Sequence, residues 1–372
     1  METGEYIWQS PYWPDWQYDL AALAEPLAAV SHAQGLLLGR LADIGDSLRD
    51  EANLTVLTED VVQTHAIEGE TLDCLSVRSA LARRLGVDIE PLTPIDHHID
   101  SIVDMVLDAT GCAMSPVTTE RLFGWHAALF STSHVGTNQL QVGNWRNDAT
   151  GPMQVVSGPP HRTRIHFEAP PSRRLDAEMA RFLAWLNTTS PKEPTLVRAA
   201  LGHLWFVTLH PFDDGNGRIA RALGDLLLTR ADGTPQRFYS LSAQIQRERK
   251  AYYDILERTQ KASMDVTDWL QWFFAALLKA VEQSQITLNE VLTKAKFWQR
   301  TSSIPMNERQ IQVLNRLLDR VEGRLTTSKW ATVARCSSDT ALRDITELLQ
   351  YGVLKKSTAG GRSTSYELNA FN

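Results

Sequence analysis

The chain has 372 residues, of which 43% are hydrophobic and 22% charged, so it can hold two or three soluble domains with real cores. Its net charge of −7 argues against nucleic-acid binding along the whole chain, and three cysteines without a CxxC spacing suggest neither a disulfide framework nor a zinc site. The N-terminus lacks a basic, apolar leader, and no apolar run is long enough to cross a bilayer. These features predict a cytoplasmic protein without a membrane span.

The N-terminal part combines an aromatic segment with a long helical pattern. The aromatic side chains are Tyr6, Trp8, Tyr12, Trp13, Trp16 and Tyr18. Because prolines separate them, we expect an extended arm that docks on the rest of the protein. Helical patterns follow over residues 19–85. Within them, residues 58–69 are predicted to form a short helix with Thr58 as N-cap and Gly69 as its stop, and with Thr64 and Glu68 on one face.

The next helical region is predicted to begin near Ile95, after the break at Leu92-Thr93-Pro94. His97 and His98 lie between two aspartates there and resemble metal ligands. Because no matching pair occurs elsewhere, a solvated helix face is the favoured interpretation.

Between residues 141 and 171 the pattern changes, and apolar residues on both sides of a Ser-Gly-Pro-Pro turn at 157–160 predict a β-hairpin. Two strands alone are marginal in water. The hairpin therefore either packs on the helices as an ornament or offers a strand edge to another protein.

The segment HPFDDGNGRIAR, residues 210–221, carries the strongest chemical signal in the sequence. The buried helix predicted for residues 195–209 ends before Pro211, because the residue preceding a proline is pushed out of the helical region. A second helix is predicted over residues 218–230. His210 therefore lies at a junction between helix and loop, where its imidazole can project into a cleft.

The residues after His210 suit a polyphosphate bound with a divalent metal. Gly215 and Gly217 allow a tight turn and offer backbone N–H groups at the start of a helix, which is a natural anion site. Arg218 and Arg221 are three residues apart, so both can grip phosphate oxygens. The aspartate pair 213–214 carries the hard oxygen ligands that Mg²⁺ prefers. No P-loop sequence occurs in the chain.

The pattern HPFxxGNGRxxR resembles the hallmark motif of Fic-domain proteins, most of which transfer AMP from ATP to a protein hydroxyl. The resemblance covers about residues 95–297 and implies a mainly α fold with a β-hairpin flap. In the family's scheme His210 would be the general base towards a Ser, Thr or Tyr hydroxyl, and Asp214 would hold Mg²⁺. The phosphate ligands would be Gly215, Asn216 and Gly217 as the anion hole, Arg218 for the β-phosphate and Arg221 for the γ-phosphate.

The resemblance also implies a docking flap and an inhibitory contact. The flap residues would be Val155, Val156, Ser157, Gly158, Ile165 and Phe167, which align the side chain to be modified. Thr64, Glu68 and Gly69 fit the family's inhibitory pattern [S/T]xxxE[G/N]. Glu68 would pair with Arg221 and thereby occupy the arginine that should hold the γ-phosphate.

The C-terminal residues predict three helices followed by a strand, a basic loop and a second strand, an order that resembles a winged helix. Residues 301–372 contain ten Lys/Arg and seven Asp/Glu, a charge of +3 against −10 for the remainder. That asymmetry leaves DNA binding open. Because the presumed reading helix carries Asp339, Asp344 and Glu347, docking on protein is favoured.

The sequence thus predicts three parts: an aromatic arm and helical region with the inhibitory helix (1–94), a Fic catalytic core (95–297) and a winged-helix-like domain (303–372). The favoured function is an autoinhibited protein adenylyltransferase that uses ATP and Mg²⁺ on an unidentified protein target and on itself. Removal of AMP, transfer of another nucleotide, or DNA-binding regulation with a nucleotide-sensing core are the alternatives. Self-association, and a role for Tyr239 and residues 244–253 beside the adenine or in the core, are left open.

Overall fold

The structure is a computed structural model that describes the following residues: 6–89, 92–130, 140–159, 162–188, 193–318, 325–357 and 364–369. In these residues the fold is mainly helical, with two separate antiparallel pairs of strands, which confirms the predicted fold class. The chain divides into two compact units, Met1–Gln285 and Ile286–Asn372. Among the described residues, no helix has both the length and the apolar character that crossing a membrane would require.

The first unit is built from helices around one hairpin. Its elements are α1 (Leu20–Ala42), α2 (Asp46–Ile67), α3 (Cys74–Leu85), α4 (His97–Gly111), α5 (Thr119–Leu129), β1 (Gln154–Ser157), β2 (Arg164–Glu168), α6 (Leu175–Asn187), α7 (Thr195–Leu209), α8 (Asn216–Asp232), α9 (Leu241–Arg247), α10 (Arg249–Gln260) and the first part of α11 (Thr267–Thr301). Short 3₁₀ turns occur at Ile7–Gln9 and Ser172–Arg174.

The α7–α8 pair forms the centre of this unit. Nearly every residue of α7 is buried, as its apolar sequence on all sides requires. Gly202 lets α8 approach closely, because a Cβ at that position would lie 2.6 Å from Leu227 Cδ1. Trp205 on α7 packs edge to face against Phe182 on α6. The loop between α7 and α8 is therefore held by a rigid, well-packed base.

The aromatic arm docks on the first unit through both apolar and polar contacts. Tyr6, Trp8 and Trp13 are buried. Trp8 Nε1 donates a hydrogen bond to the carbonyl oxygen of Glu168 at 2.7 Å, and Trp13 Nε1 donates one to the carboxylate of Glu178 at 3.0 Å. The arm includes the 3₁₀ turn at its start, so it is not extended throughout.

Helix α2 begins earlier than its sequence pattern suggested. The expected helix start with Thr58 as N-cap is wrong, because the helix begins at Asp46 and Thr58 lies inside it. The Thr58 hydroxyl donates to the carbonyl oxygen of Leu54 at 2.7 Å, which is how threonine is accommodated in a helix interior. Gly69 does follow the helix end, with φ +85°, a conformation that glycine adopts without strain.

The predicted hairpin is present as β1 and β2, with Val155 opposite Phe167 and Ser157 opposite Arg164. Phe167 is buried and anchors the hairpin on the helices, whereas the side chains of Val156 and Ile165 are exposed. Pro160 at the tip lies outside the described residues. The hairpin therefore has one residue anchored in the core, Phe167, and two apolar side chains open to solvent.

The second unit contains α12 (Glu308–Leu318), α13 (Thr327–Val333), α14 (Ser338–Gln350), β3 (Leu354–Lys356) and β4 (Tyr366–Leu368) in its described part. Its core surrounds Trp330, which is fully buried. On α14, Asp344 is shielded in an ion pair with Arg309 at 3.1 Å. The order of helices and strands is the expected one. Residues 358–363 of the basic loop lie outside the described residues, and the winged-helix assignment stays a prediction.

Candidate functional site

His210 is the last residue before the loop, and its backbone adopts the left-handed conformation (φ 48°, ψ 56°). Its Nδ1 lies 3.2 Å from the carbonyl oxygen of Val207. A carbonyl only accepts, so Nδ1 carries the proton and Nε2 is the free acceptor. Burial lowers the pKa of His210 to about 4, and Arg146 adds to this effect, while the Val207 carbonyl and the carboxylates of Glu68 and Asp214 oppose it. The imidazole is therefore neutral at physiological pH, as a proton acceptor must be.

The turn after His210 is closed by the side chain of Asn216. Its Oδ1 accepts from the N–H of Phe212 at 2.9 Å, and its Nδ2 donates to the carbonyl oxygen of Phe212 at 2.7 Å. Gly215 precedes α8 with φ +79°. Because the Asn216 amide is used within the turn, only its backbone N–H, at the start of α8, can face an anion.

Gly217 has a different reason for being glycine than the one suggested by the sequence. It lies inside the first turn of α8, with no positive φ, so the tight-turn explanation is wrong for it. A Cβ at this position would lie 2.3 Å from Glu68 Oε1 and 3.1 Å from Arg221 Nη1. Gly217 is therefore required by the close approach of the end of α2 to the start of α8.

Arg221 is enclosed by the end of α2. Its Nη2 lies 2.7 Å from Glu68 Oε1 and donates to the carbonyl oxygen of Thr64 at 2.8 Å, and its Nε donates to the Thr64 hydroxyl at 2.6 Å. Burial tends to raise the pKa of Glu68, but the Arg221 guanidinium outweighs it and lowers that pKa. This is the pairing that the family resemblance implies for Glu68 and Arg221.

Arg218 is also engaged, by a residue that the sequence motif does not include, Glu70. Its buried guanidinium lies 2.7 Å, Nη1 to Oε2, from Glu70, which follows Gly69. Glu70 is about half exposed, with 46% of its side chain accessible. The only signal in the sequence was spacing: Glu70 follows Glu68 by two residues, and its partner Arg218 precedes Arg221 by three. Both predicted phosphate-binding arginines are thus paired with carboxylates from one short segment.

The loop is positioned by two further residues that carried little signal in the sequence. The Arg146 side chain donates to the carbonyl oxygen of His210 at 2.7 Å, and its N–H donates to that of Pro211 at 2.9 Å. His126 accepts from the Gly143 N–H through Nδ1 at 3.0 Å, so its Nε2 donates to the carbonyl oxygen of Asp214 at 3.2 Å. Their partners are distant in sequence, which is why only the structure reveals them.

Asp214 provides an exposed carboxylate beside the start of α8. Its Oδ1 accepts from the Gly215 N–H at 2.6 Å, and 64% of its side chain is accessible. The described residues contain no group of three or more His, Cys, Asp or Glu that could hold a metal alone. Mg²⁺ commonly binds through one carboxylate together with substrate phosphates and water. The donor set fits Mg²⁺ that arrives with a nucleotide, while Asp213 is occupied by the Gln141 N–H.

One cleft of about 850 Å³ brings most of these groups together between the hairpin and α10. The predicted site residues that line it are Glu68, Val155, Val156, Ser157, Phe167, His210, Asp214, Gly215, Asn216, Gly217 and Arg221. Those outside its lining are Thr64, Gly69, Gly158, Ile165 and Arg218. Tyr252 and Tyr253 on α10 also face the cleft, whereas Tyr239 is core and donates to Asp232 at 2.7 Å.

Comparisons with known proteins find a family similarity in the part of the chain that contains this site. Residues 116–228 match the Fic/DOC family, and residues 6–87 match a domain of unknown function, DUF4172. The chain is 33% identical over 127 residues to a uridine 5′-monophosphate transferase of Xanthomonas campestris pv. campestris (strain 8004), covering 31% of this chain and 22% of the relative. It is 30% identical over 182 residues to the protein adenylyltransferase Fic of Drosophila ananassae, covering 48% and 33%. The chain therefore spans a third or less of the length of these relatives.

Solved structures share the fold. A Fic family protein from Desulfovibrio desulfuricans G20 matches with a TM-score of 0.50 at 18% identity, over 94% of this chain and 97% of that one. A Fic-domain signaling protein from Bacteroides thetaiotaomicron matches with a TM-score of 0.50 at 18% identity, over 72% and 97%. The residues that match the Fic/DOC family, 116–228, contain the whole histidine motif, so this part of the chain is similar to a Fic domain in sequence and in fold.

Proposed function

We propose that the protein is an autoinhibited nucleotidyltransferase that moves AMP from ATP to a hydroxyl of a target protein. The observation that carries this proposal is the occupation of Arg221 by Glu68 inside the cleft that also contains His210. An arginine and a neutral histidine in one cleft suit phosphate binding and proton removal, and the carboxylate at the arginine suits inhibition.

The triphosphate would lie at the start of α8. The N–H groups of the first helical turn and the dipole of α8 favour negative charge there. Once freed from Glu70 and Glu68, Arg218 and Arg221 would bind the β- and γ-phosphates through their planar guanidinium groups. Asp214 would hold Mg²⁺ together with phosphate oxygens, and the ion would neutralise charge on the phosphates.

His210 would act as the general base. Its free Nε2 takes the proton of the target hydroxyl while the hydroxyl oxygen forms a bond to the α-phosphorus. The bond from that phosphorus to pyrophosphate breaks, and pyrophosphate leaves with the electron pair. A reaction of this type depends on positioning and charge neutralisation.

The hairpin would hold the target. A strand edge can pair with an extended segment of another protein through main-chain hydrogen bonds, and adjacent apolar side chains give selectivity. The exposed side chains of Val156 and Ile165 supply such an apolar surface on the hairpin, whose other face is anchored by Phe167. The target residue would then be presented to the cleft beside Ser157 and His210.

Inhibition would follow from competition for the arginines. A charge-assisted contact to Glu68 occupies Arg221, so a triphosphate meets a carboxylate where it needs a cation. Glu70 acts in the same sense on Arg218. ATP could still enter, but its α-phosphate would not be aligned for attack. Release of the arginines would require the end of α2 to shift. A binding partner can drive such a shift if it binds the shifted state more tightly than the inhibited one.

Transfer of a different nucleotide is the second candidate, because a relative named uridine 5′-monophosphate transferase is 33% identical over 127 residues. The phosphate-binding groups serve either nucleotide equally. The base would be selected by the part of the cleft beside Tyr252 and Tyr253, where either ring can stack. Labelled ATP and labelled UTP are therefore compared in parallel.

The test uses wild type, Glu68→Ala and the Glu68→Ala/His210→Ala double variant, with cell lysate, Mg²⁺ and nucleotide labelled at the α-phosphate. Glu59→Ala is the matched control, because Glu59 lies on the same helix and pairs with Arg247 at 3.0 Å outside the cleft. We expect lysate proteins to be labelled only with Glu68→Ala, and not with the double variant. Absence of labelled lysate protein with both nucleotides would refute the proposal and favour AMP removal.

A further inference from the structure

The hydroxyl of Tyr252 lies between groups of the two helices that flank the histidine motif. Tyr252 is on α10, is buried and lines the cleft. Its hydroxyl oxygen lies 2.9 Å from Nε2 of His203, which is on α7. Burial raises the pKa of Tyr252, whereas the charge and a hydrogen bond of the Arg221 guanidinium, on α8, oppose that rise. The same hydroxyl is therefore in polar contact with both His203 and Arg221.

His203 is a fixed and neutral anchor for this hydroxyl. It is buried, and its ring stacks on that of Trp269 on α11 with the centroids 5.8 Å apart. Burial lowers the pKa of His203 to about 3, and the charge of Arg221 adds to this effect, while the Ala220 carbonyl opposes it. The imidazole is therefore neutral at physiological pH, so one of its nitrogens can accept a hydrogen bond.

The direction of these hydrogen bonds follows from Arg221. A guanidinium only donates, so an N–H of Arg221 is directed at a lone pair of the Tyr252 oxygen. The hydroxyl hydrogen of Tyr252 is then available for His203 Nε2, which accepts it in the tautomer that carries its proton on Nδ1. Arg221, Tyr252 and His203 thus form one row of hydrogen bonds from α8 through α10 to α7.

Arg221 has polar partners on two elements. Thr64 and Glu68 are on α2, the helix whose end would shift when inhibition is released. When that end moves as a whole, both contacts are lost together. Tyr252 is on α10, outside the shifting segment, so it stays beside the guanidinium. Without it the freed side chain would regain rotamer freedom, which it would have to lose again on binding a phosphate.

We propose that Tyr252 is a positioning residue for Arg221, and that it holds the guanidinium ready for the γ-phosphate after the end of α2 has moved away. This inference rests on the proposed function, which assigns Arg221 to that phosphate. The Tyr252 hydroxyl acts through Arg221 rather than on the nucleotide, and His203 orients the hydroxyl. The ring of Tyr252 can still stack on the base, so ring and hydroxyl have separate roles.

Calorimetric titration with ATP, ADP and AMP in the Glu68→Ala background separates the hydroxyl from the ring. Tyr252→Phe removes only the hydroxyl, so we expect it to weaken ATP binding by at least about tenfold, the effect of losing a hydrogen bond to a charged group. ADP and AMP should bind as before, because neither has a γ-phosphate. Tyr239→Phe is the matched control and should change none of the three affinities, because Tyr239 is also buried and its hydroxyl donates to Asp232 at 2.7 Å outside the cleft.

Two further comparisons test whether Tyr252 acts through Arg221. In the Glu68→Ala/Arg221→Ala background, Tyr252→Phe should cause no further loss of ATP affinity, and a further loss would show direct contact with the nucleotide and overturn the inference. In the Glu68→Ala background, His203→Phe keeps a ring but removes the acceptor, so it should reproduce the selective loss for ATP. His203→Gln should retain ATP binding, because its amide oxygen can accept the same hydrogen bond. Thermal unfolding of each variant ensures that only folded proteins are compared.

The outcomes separate this inference from the proposed function. Equal loss with all three nucleotides, or no loss with ATP, would overturn the role of Tyr252 and leave the proposed function standing wherever Glu68→Ala labels lysate proteins. A loss confined to ATP would support the role of Tyr252 even if no target were labelled, since binding does not require transfer. If Glu68→Ala bound ATP no more tightly than ADP, Arg221 would not hold the γ-phosphate, and the inference would fall with that assignment.

Discussion

The two carboxylates at the end of α2 are expected to oppose nucleotide binding to different extents, which makes them separable by substitution. Glu68→Ala removes a partner of fully shielded Arg221, and 30% of the Glu68 side chain is accessible. Glu70→Ala removes a partner of Arg218, and 46% of the Glu70 side chain is accessible. Each substitution removes the carboxylate that pairs with one guanidinium, without touching a predicted nucleotide ligand.

The expected magnitudes follow from this shielding. A hydrogen bond to a charged group contributes about 1.5–3 kcal/mol when shielded, so Glu68→Ala should strengthen ATP binding by about 10- to 150-fold. A half-exposed ion pair contributes about 0.5–1 kcal/mol, so Glu70→Ala should strengthen binding by only about two- to fivefold. Because the resemblance assigns Arg218 to the β-phosphate and Arg221 to the γ-phosphate, the Glu70 effect should appear with ADP and ATP. The Glu68 effect should appear with ATP alone.

Calorimetric titration of wild type, the two variants and the Glu59→Ala control with AMP, ADP and ATP measures these differences without requiring transfer. AMP should bind all four proteins alike, because it lacks both outer phosphates. The reasoning would be refuted by a larger gain for Glu70→Ala than for Glu68→Ala. It would be refuted equally if Glu68→Ala strengthened ADP and ATP binding by the same factor.

Three further outcomes are expected. Because the pKa of His210 is lowered to about 4, and removal of Glu68 takes away a carboxylate that raises it, transfer by Glu68→Ala should stay level down to roughly pH 5 in a pH–rate profile and fall only below that. Burial lowers the pKa of His65 to about 4 and that of His203 to about 3, so the folded state favours their neutral forms. The free energy of unfolding is therefore highest above pH 6.5 and falls by about 3 kcal/mol for each histidine as the pH decreases towards 4. Urea titrations at pH 7 and pH 4.5 should show this difference. Gly217→Ala should destabilise the wild-type protein by about 1–3 kcal/mol, because the new Cβ would meet the Glu68 carboxylate. The same substitution should destabilise the Glu68→Ala variant by clearly less. Equal losses of stability in a thermal double-mutant cycle would contradict that contact.

The histidine loop could be predicted from the sequence because its signals are local. Pro211 ends α7, Gly215 takes a positive φ, and the bounds of α7 coincide with the apolar run of residues 195–209. The order of helices and strands after residue 303 was predictable for the same reason. In each case the information lies within a few residues of the element that it determines.

The misjudged features depend on contacts between distant segments. Thr58 looks like an N-cap in isolation, but the helix continues through it because the preceding turns bury apolar side chains. Glu70 has only its spacing from Glu68 as a signal and His126 has none, and their partners lie 148 and 88 residues away in the chain. Gly217 was assigned to a turn when its actual constraint is the carboxylate of another helix. Such pairings are set by tertiary packing.

The contacts of Arg221 with Thr64 have a consequence for the entropy that the arginine loses when it binds a phosphate. The hydrogen bonds that Arg221 donates to the Thr64 hydroxyl and carbonyl do not involve the Glu68 carboxylate. If Glu68 alone moves away, these contacts keep the Arg221 guanidinium fixed. A free arginine side chain would lose up to about 2 kcal/mol of rotamer entropy on binding a phosphate, and Arg221 has already lost it. Helix α2 would then hold Arg221 through Thr64 in the conformation that the nucleotide needs, while Glu68 keeps the phosphate from reaching it.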